Sequence, residues 1–267
     1  MTFVRPDPTV TEEGFLSINF GRYLYDKELA FDPSRFDNPQ IQITTNYNTV
    51  EALCTADHFA IQAYIMEGLG TPPRGFLLTK ELKSWLASAA WEYTQMPKDY
   101  VYRRLFLQAL EPNVALQQFW TQAILQEDNY ARIPFDVLRF NQIADNARDY
   151  GELMEHCAGE ISAVGDYFFG SPTYSPQLDA VNAAELNALR VVVEDGGRFN
   201  VISASTTDMW RGTMSGYCPQ GMVVFNLGPK DVIEDWYNPR EVGNLLLEVL
   251  GVAAHTIHLV TEQLRPY

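Results

Sequence analysis

The hydrophobic pattern of the chain is dominated by short stretches with the alternation of a β-strand. In residues 40–47, Ile41 and Ile43 alternate with glutamines, and Thr45 and Tyr47 continue the same face. Such an alternation is typical of a half-buried strand, so it predicts one here. Further β-branched and aromatic runs, ended by Gly or Pro, predict strands at residues 59–66, 75–82, 89–96 and 100–110.

The second part of the chain also consists of short strand-like stretches. Two strand-like runs flank Asp195-Gly196-Gly197, and a glycine pair supplies the positive φ that a tight hairpin requires. In the final run, His255, Ile257 and Leu259 share one face of a predicted strand, whereas His258 lies on the other. Short strands at intervals of about ten residues are typical of a sandwich or barrel. The strands predicted in this part span residues 189–203 with the hairpin, 222–227, 245–250 and 255–264.

Helical periodicity is rarer. Apolar residues spaced along residues 135–148 predict a helix of about three turns, with Pro134 just before its start. A second candidate helix covers residues 175–190, although its end at residues 186–190 also fits a strand. The expected fold class is therefore all-β with one or two short helices.

Composition and length allow a substantial core. The chain has 267 residues, of which 46% are hydrophobic and 13% aromatic, and this excludes disorder as its main state. Residues 245–254 form the longest apolar stretch near the C-terminus, but Glu248 interrupts it and it is too short to span a bilayer. The first residues lack the basic and apolar regions of a signal peptide. We expect two β-rich domains, at residues 1–150 and 151–267.

The net charge of −15 excludes some partners. Residues 1–150 carry 13 basic and 19 acidic side chains, so neither part of the chain is positive. An acidic surface repels phosphate backbones and anionic headgroups, which argues against direct binding of nucleic acid.

Cysteine and histidine positions do not predict a metal site. Cys54, Cys157 and Cys218 lie far apart and lack a CxxC motif, which favours reduced structural thiols in a reducing compartment. His255 and His258 form a His-x-x-His pair, but on a strand this odd spacing sends them to opposite faces. Two more histidines, His58 beside Asp57 and His156 beside Cys157, lack a second motif to join.

Charged clusters also favour structural roles. Asp231, Glu234 and Asp235 lack the spacing and glycine of a calcium loop, so we expect a solvated turn before an aromatic anchor at Trp236. Arg103-Arg104 is the densest basic spot, and we expect one of the two to pair with a carboxylate across strands or subunits. A nucleic-acid patch is the less favoured alternative.

Signatures of catalysis are missing from the sequence. It contains no GxSxG, no GxxxxGK[ST] phosphate loop and no GxGxxG, so the common hydrolase, NTPase and dinucleotide-binding classes have no support. Carboxylate pairs for glycoside chemistry would come from distant strands, and none stands out. We expect a protein that is not an enzyme, with no catalytic, cofactor-binding or metal-binding residues and no cofactor.

The order of several segments resembles a known family. GFLLTKEL at residues 75–82, MPKDYVYRRLFLQAL at 96–110 and TQAILQEDNYARIPFDVLRFNQ at 121–142 resemble segments of double jelly-roll major capsid proteins of small icosahedral, often lipid-containing, bacterial viruses. Residues 216–251 and the closing TIHLVTEQLRPY resemble the last strands of the second jelly roll. Together these segments cover about half of the chain, whereas residues 1–38 and 151–185 match nothing in that family.

The resemblance implies two tandem eight-stranded jelly rolls in one chain. It also implies a structural coat protein that forms pseudo-hexameric homotrimers, tiles an icosahedral virion shell, and is made in the host cytoplasm. Its partners would be copies of itself and other capsid proteins, such as penton or minor proteins. The resemblance assigns no catalytic residues to this chain. Interface anchors could come from the five tryptophans, Trp85, Trp91, Trp120, Trp210 and Trp236.

Two alternatives stay open. One is a β-sandwich carbohydrate- or receptor-binding virion subunit, such as a spike or vertex protein, because tyrosine and tryptophan faces stack on sugars. The other is a jelly-roll enzyme of the cupin or glycosidase kind, which needs clustered His and Glu on adjacent strands. For a coat protein, the charge of −15 predicts that an internal membrane, touched peripherally, or basic internal proteins separate the shell from the genome.

Overall fold

The computed structural model describes two compact units. The larger unit spans residues 79–263, and the smaller combines residues 17–78 with 264–267. Taken together, the described residues are mostly β, with antiparallel sheets, as the sequence predicts. The residues that the structure describes are 17–44, 60–111, 113–161, 166–182, 189–203, 208–252 and 255–267.

Fourteen strands and one α-helix are assigned in the described part of the chain. The first group is β1 (Gly75–Leu86), β2 (Trp91–Gln95), β3 (Val101–Gln108), β4 (Trp120–Glu127), β5 (Arg132–Leu138) and α1 (Arg139–Tyr150). The middle group is β6 (Leu153–Ile161), β7 (Asp166–Phe169), β8 (Pro172–Asn182), β9 (Leu189–Val193), β10 (Arg198–Ser203) and β11 (Asp208–Pro219). The last group is β12 (Met222–Asn226), β13 (Leu245–Gly251) and β14 (Thr256–Pro266).

Two four-stranded sheets form the main sandwich. Their strand orders are β1-β14-β3-β12 and β2-β13-β4-β5. Alternate residues of each strand point into a shared core, because successive side chains of a strand face opposite sides. Phe135 of β5 stacks on Phe225 of β12, with ring centroids 5.1 Å apart, and so joins the two sheets. Other core residues include Leu105, Leu107, Ala123, Leu125, Val223, Leu245, Leu247, Val249, Ile257 and Leu259.

Helix α1 covers the outer edge of β12. Asn146 accepts a hydrogen bond from the Val224 N–H at 2.7 Å and donates one to the Val224 carbonyl at 2.6 Å. Gln142 donates to the same carbonyl at 2.7 Å. These amides take the place of a further strand at an edge that would otherwise present unpaired backbone groups. The helix is followed by Gly151, whose φ of 74° and ψ of −173° lie in a region that glycine adopts readily and other residues avoid.

Six middle strands form a second, smaller sandwich. Its sheets have the orders β6-β11-β8 and β7-β10-β9. A separate core lies between them, built around the buried side chains of Phe168, Phe199, Val201, Trp210 and Met214. We call strands β6–β11 the inserted sandwich, because they interrupt the chain between β5 and β12 of the main sandwich.

The smaller unit is built on aromatic rings. Phe31 stacks on Phe20 and on Phe36, with centroids 4.9 Å apart in both pairs, and Phe76 meets Phe31 edge-on. Residues 17–28 and 36–44 contain no assigned strand or helix. The aromatic cluster is therefore the main apolar core of this unit within its described residues.

Most of the predicted strands are confirmed. The predictions at 75–82, 89–96 and 100–110 correspond to β1, β2 and β3, and those at 222–227, 245–250 and 255–264 to β12, β13 and β14. The hairpin prediction is confirmed too: β9 and β10 pair antiparallel, and Gly196 and Gly197 have φ of 69° and 76°.

Four local predictions are wrong where the structure describes them. Residues 41–44 and 60–66 are not strands. The predicted helix at 135–148 begins only at Arg139, because residues 132–138 form β5 at the edge of a sheet, where Pro134 is tolerated. The candidate helix at 175–190 is strand β8 as far as Asn182, since Leu178 points into the core of the inserted sandwich.

The tandem arrangement, with one jelly roll on each side of residue 150, is not confirmed. Strands from both sides of that residue share the same sheets: β3 lies between β14 and β12, and β13 lies between β2 and β4. Each four-stranded sheet therefore needs both ends of the chain.

Candidate functional site

The Arg103-Arg104 pair is bound to one carboxylate. Arg103 Nη1 lies 2.8 Å from Glu262 Oε1, and Arg104 donates from Nε and Nη2 at 2.9 and 3.0 Å to the two Glu262 oxygens. Burial alone would lower the pKa of Arg104, but its hydrogen bonds to Glu262 raise it. The predicted cross-strand pair is confirmed, and both arginines take part in it. Glu262 compensates both arginine charges where β3 lies beside β14, so these side chains are poorly placed to bind phosphates.

The C-terminal histidines are each held by a different carboxylate. His255 Nδ1 contacts Glu111, and His258 Nδ1 lies 3.2 Å from Glu81 Oε1. Both histidines line an open cleft of about 480 Å³ beside Phe119. Among the described residues, no group of three or more His, Cys, Asp or Glu side chains could hold a metal ion.

The acidic run forms a short turn. Residues Ile233–Asp235 are a 3₁₀ turn, and the Trp236 side chain behind it is buried, with Nε1 donating to the Pro229 carbonyl at 2.8 Å. The prediction of a turn before an aromatic anchor is confirmed. Trp120 and Trp210 are buried as well, which makes them core residues, whereas Trp85 and Trp91 are half-buried.

The described cysteines are buried free thiols. Burial raises the pKa of Cys157 to about 11 and that of Cys218 to about 12, so both resist ionisation. His156 is exposed, and its Nδ1 lies 3.1 Å from Thr213 Oγ1 on the neighbouring strand. The remaining candidates, Cys54 and the Asp57-His58 pair, lie outside the described residues.

A buried carboxylate lies on the outer face of the β2-β13-β4-β5 sheet. Glu248 is only 3% exposed, and Tyr130 Oη lies 2.7 Å from both of its oxygens. Gln126 Nε2 approaches the same carboxylate at 3.3 Å. The hydrogen bond that the Tyr130 hydroxyl donates to Glu248 raises the pKa of Tyr130 to about 12. The group ties the β4–β5 turn to β13, and no sequence pattern indicates it because Glu248 is far along the chain from Gln126 and Tyr130.

Two segments with the sequence pattern of strands are unpaired in the structure. Ile41 and Ile43 are 66% and 49% exposed, and Ile61, Tyr64 and Ile65 are 64%, 59% and 77% exposed. We call residues 40–44 and 60–66 the exposed segments. Their apolar side chains lie at the protein surface although their sequence pattern predicts strands with at least one buried face.

The outer face of the β7-β10-β9 sheet combines aromatic and basic side chains. Phe168 and Phe199 point inward, so Tyr167, Phe169 and Arg198 point outward. Across the sheet, Asn200 pairs with Val192 and Ile202 pairs with Arg190, which places these four on the same outer side. We call it the aromatic–arginine face. Alternation within DYFF and RFN was the sequence signal for it, but the sequence does not show that these strands are neighbours.

Comparisons with known proteins add no relative. No protein-family model, curated protein or solved structure matches the chain. In the described part of the chain, no helix has both the length and the apolar character needed to cross a bilayer.

Proposed function

We propose that the chain is a structural coat subunit that assembles with copies of itself into the shell of an icosahedral virion. The observation that carries the proposal is the pair of exposed segments. Full burial of a large apolar side chain stabilises a protein by roughly 1.5–3 kcal/mol, so the side chains of Ile61, Tyr64 and Ile65 together offer several kcal/mol to a partner that covers them.

The pattern of these segments also indicates the kind of contact. An unpaired stretch of β-branched and aromatic residues can add to a sheet edge of another molecule, where main-chain hydrogen bonds supply affinity and alternate side chains supply specificity. A second copy is the simplest source of such an edge, because a chain that forms a shell meets many copies of itself.

The strand order supports a shell-forming fold. The two orders 1-14-3-12 and 2-13-4-5 support one eight-stranded jelly roll made from both ends of the chain, with the inserted sandwich between its fifth and sixth strands. Jelly rolls occur in viral capsid and lectin domains. The fold alone therefore fits both a coat protein and a sugar-binding subunit, and the exposed segments favour the coat.

This topology changes the oligomer that is expected as the building block of the shell. A pseudo-hexameric homotrimer needs two jelly rolls in each chain, whereas the pairing supports one jelly roll and a six-stranded sandwich. We keep the homotrimer as the smallest assembly to test, without the pseudo-hexagonal outline. The charge of −15 supports an internal membrane or basic internal proteins beneath the shell.

The test is the assembly state of the purified chain. Size-exclusion chromatography with light scattering is expected to give a trimer or larger species, and electron microscopy closed particles. The double variant Ile61→Lys, Ile65→Lys is expected to be monomeric with an unchanged melting temperature, because both side chains are already exposed. Met154→Lys is the matched control, since Met154 is 65% exposed but lies on the inserted sandwich. A wild-type monomer at high concentration would contradict the proposal.

A second candidate function is a carbohydrate- or receptor-binding virion subunit, which the aromatic–arginine face favours. Copy number separates the two. A coat subunit is present in many copies over the whole particle surface, whereas a spike or vertex protein occupies only a few sites.

A further inference from the structure

The aromatic–arginine face presents two rings side by side. Tyr167 and Phe169 are 47% and 38% exposed, and they lie two residues apart on the same side of β7. Residues at this spacing are about 7 Å apart along a strand. The two rings therefore form an open apolar shelf at one edge of a three-stranded sheet.

Arg198 is held in place on this shelf. Its guanidinium lies over the Tyr167 ring, 4.5 Å from the centroid, and its Nε donates to Glu194. Neither contact uses the two Nη groups, which have no hydrogen-bond partner among the described residues. An arginine that is oriented by two contacts and keeps its outer donors free is suited to pair with an anion.

Two more polar groups on the face lack a partner. Arg190 is exposed and forms no ion pair with any described residue. Asn200 Oδ1 is buried without a hydrogen-bond donor, again within the described part of the chain. Because this oxygen has almost no accessible surface, Arg190 is the one of the two that a ligand on the face can reach.

The charge of the face is unusual for this protein. Residues 151–267 contain six basic side chains against 15 acidic ones, and two of the six, Arg190 and Arg198, lie on this face. Among the outward side chains that the structure describes on β7, β9 and β10, none is acidic, and Glu194, which directly follows β9, compensates Arg198 but leaves the charge of Arg190 uncompensated. The face therefore complements an anion although the chain as a whole repels one.

Size decides which kind of partner fits. Three strands spaced about 4.8 Å apart, with four to six residues at about 3.4 Å each, give an area on the order of 300 Å². A stable protein–protein interface buries about 800 Å² on each partner, so the face is too small to hold a protein by itself. A ligand of one to three sugar rings matches the area.

We propose that the aromatic–arginine face binds an acidic saccharide. The C–H face of a sugar ring packs on Tyr167 and Phe169, while a carboxylate of the sugar pairs with Arg198 and Arg190. This binding does not depend on the proposed shell, because every group in it belongs to one chain.

Saturation-transfer NMR on the full chain tests the site, since the method works on particles as well as on single chains. The probes are 3′-sialyllactose and a hyaluronan tetrasaccharide, with lactose as the neutral control. We expect both acidic probes to bind with Kd of about 1 mM or below, and lactose at least about tenfold more weakly. Arg190→Ala and Tyr167→Ala are each expected to weaken the acidic probes about tenfold.

Arg211→Ala is the matched control, because Arg211 is also exposed but lies on β11 in the other inserted sheet. It is expected to bind the probes as the wild type does, and circular dichroism confirms that each variant is folded. Three results would overturn the proposal: no binding of either acidic probe at about 10 mM, equal binding of lactose, or binding of a poly-glutamate peptide alone. None of these changes the assembly state measured for the coat proposal, so the two fail separately.

Discussion

Arg104 on β3 donates two hydrogen bonds to the carboxylate of Glu262 on β14, at 2.9 and 3.0 Å. The same carboxylate accepts from Arg103, which is only 6% exposed. One acidic group thus holds two guanidinium groups between strands that are 158 residues apart in sequence. A buried carboxylate that balances two cations is hard to replace, because its loss leaves both charges without compensation.

Glu262→Gln is therefore expected to destabilise the fold by about 3 kcal/mol. Urea unfolding followed by tryptophan fluorescence measures the change. Glu81→Gln is the matched control, since Glu81 is exposed and pairs with His258, and we expect it to cost less than about 0.5 kcal/mol. Equal effects of the two substitutions would show that burial of the Glu262 cluster has no energetic weight.

Tyr130 and Glu248 predict a loss of stability at alkaline pH. Its hydrogen bond to Glu248 raises the pKa of Tyr130 from 10.0 to about 12, so the folded state holds that proton more tightly than the unfolded state. The contribution is present in full below pH 10 and decreases as the pH rises toward 12. Tyr130→Phe removes it, so the stability difference between wild type and variant should narrow between pH 9 and pH 12. A difference that stays constant over this range would contradict the assignment.

The amide of Asn146 predicts a specific cost at the edge of β12. Asn146→Ala leaves both the N–H and the carbonyl of Val224 without that partner, which is expected to cost about 2 kcal/mol. Exposure of the edge is also expected to increase aggregation on heating. Asn141→Ala is the control, because Asn141 is exposed on the same helix. Thermal unfolding with light scattering reads both effects, and identical curves for the two variants would refute the role of the amide.

The buried thiols predict slow alkylation. At pH 8, the pKa of about 11 for Cys157 and of about 12 for Cys218 leave about a thousandth and a ten-thousandth of each thiol ionised. Iodoacetamide should label both far more slowly in the native protein than in urea, as read by peptide mapping for each cysteine. Labelling at the rate of free glutathione would show that these sites open readily.

The sequence predicted elements better than their arrangement. β3, β12, β13 and β14 could be found because each is a run rich in β-branched, aliphatic or aromatic residues, bounded by glycine, proline or polar turn residues. β8 was missed because alanine, leucine and asparagine in SPQLDAVN fit a helical period equally well, and only the core around Leu178 decides for a strand. The start of α1 was missed because an apolar edge strand runs directly into it.

Neither the strand topology nor the candidate sites follow from the order of residues along the chain. A sequence lists strands in chain order, whereas the neighbours of β14 are β1 and β3 at the far end of the chain. The division at residue 150 followed chain order and therefore missed sheets that use both ends. The aromatic–arginine face could not be predicted for the same reason, since Arg190 and Tyr167 lie on strands that are linked through β10.

The central position of β14 determines when the protein can fold during synthesis. β14 lies between β1 and β3, so nothing links these two strands in the sheet until residues 256–266 have left the ribosome. The main sandwich is therefore completed last. The inserted sandwich, with its own core and shorter loops, is free to fold earlier. Until β14 arrives, β1 and β3 present open edges to every neighbouring nascent chain. A stop codon before residue 256 is therefore expected to yield insoluble protein that still contains a folded inserted sandwich.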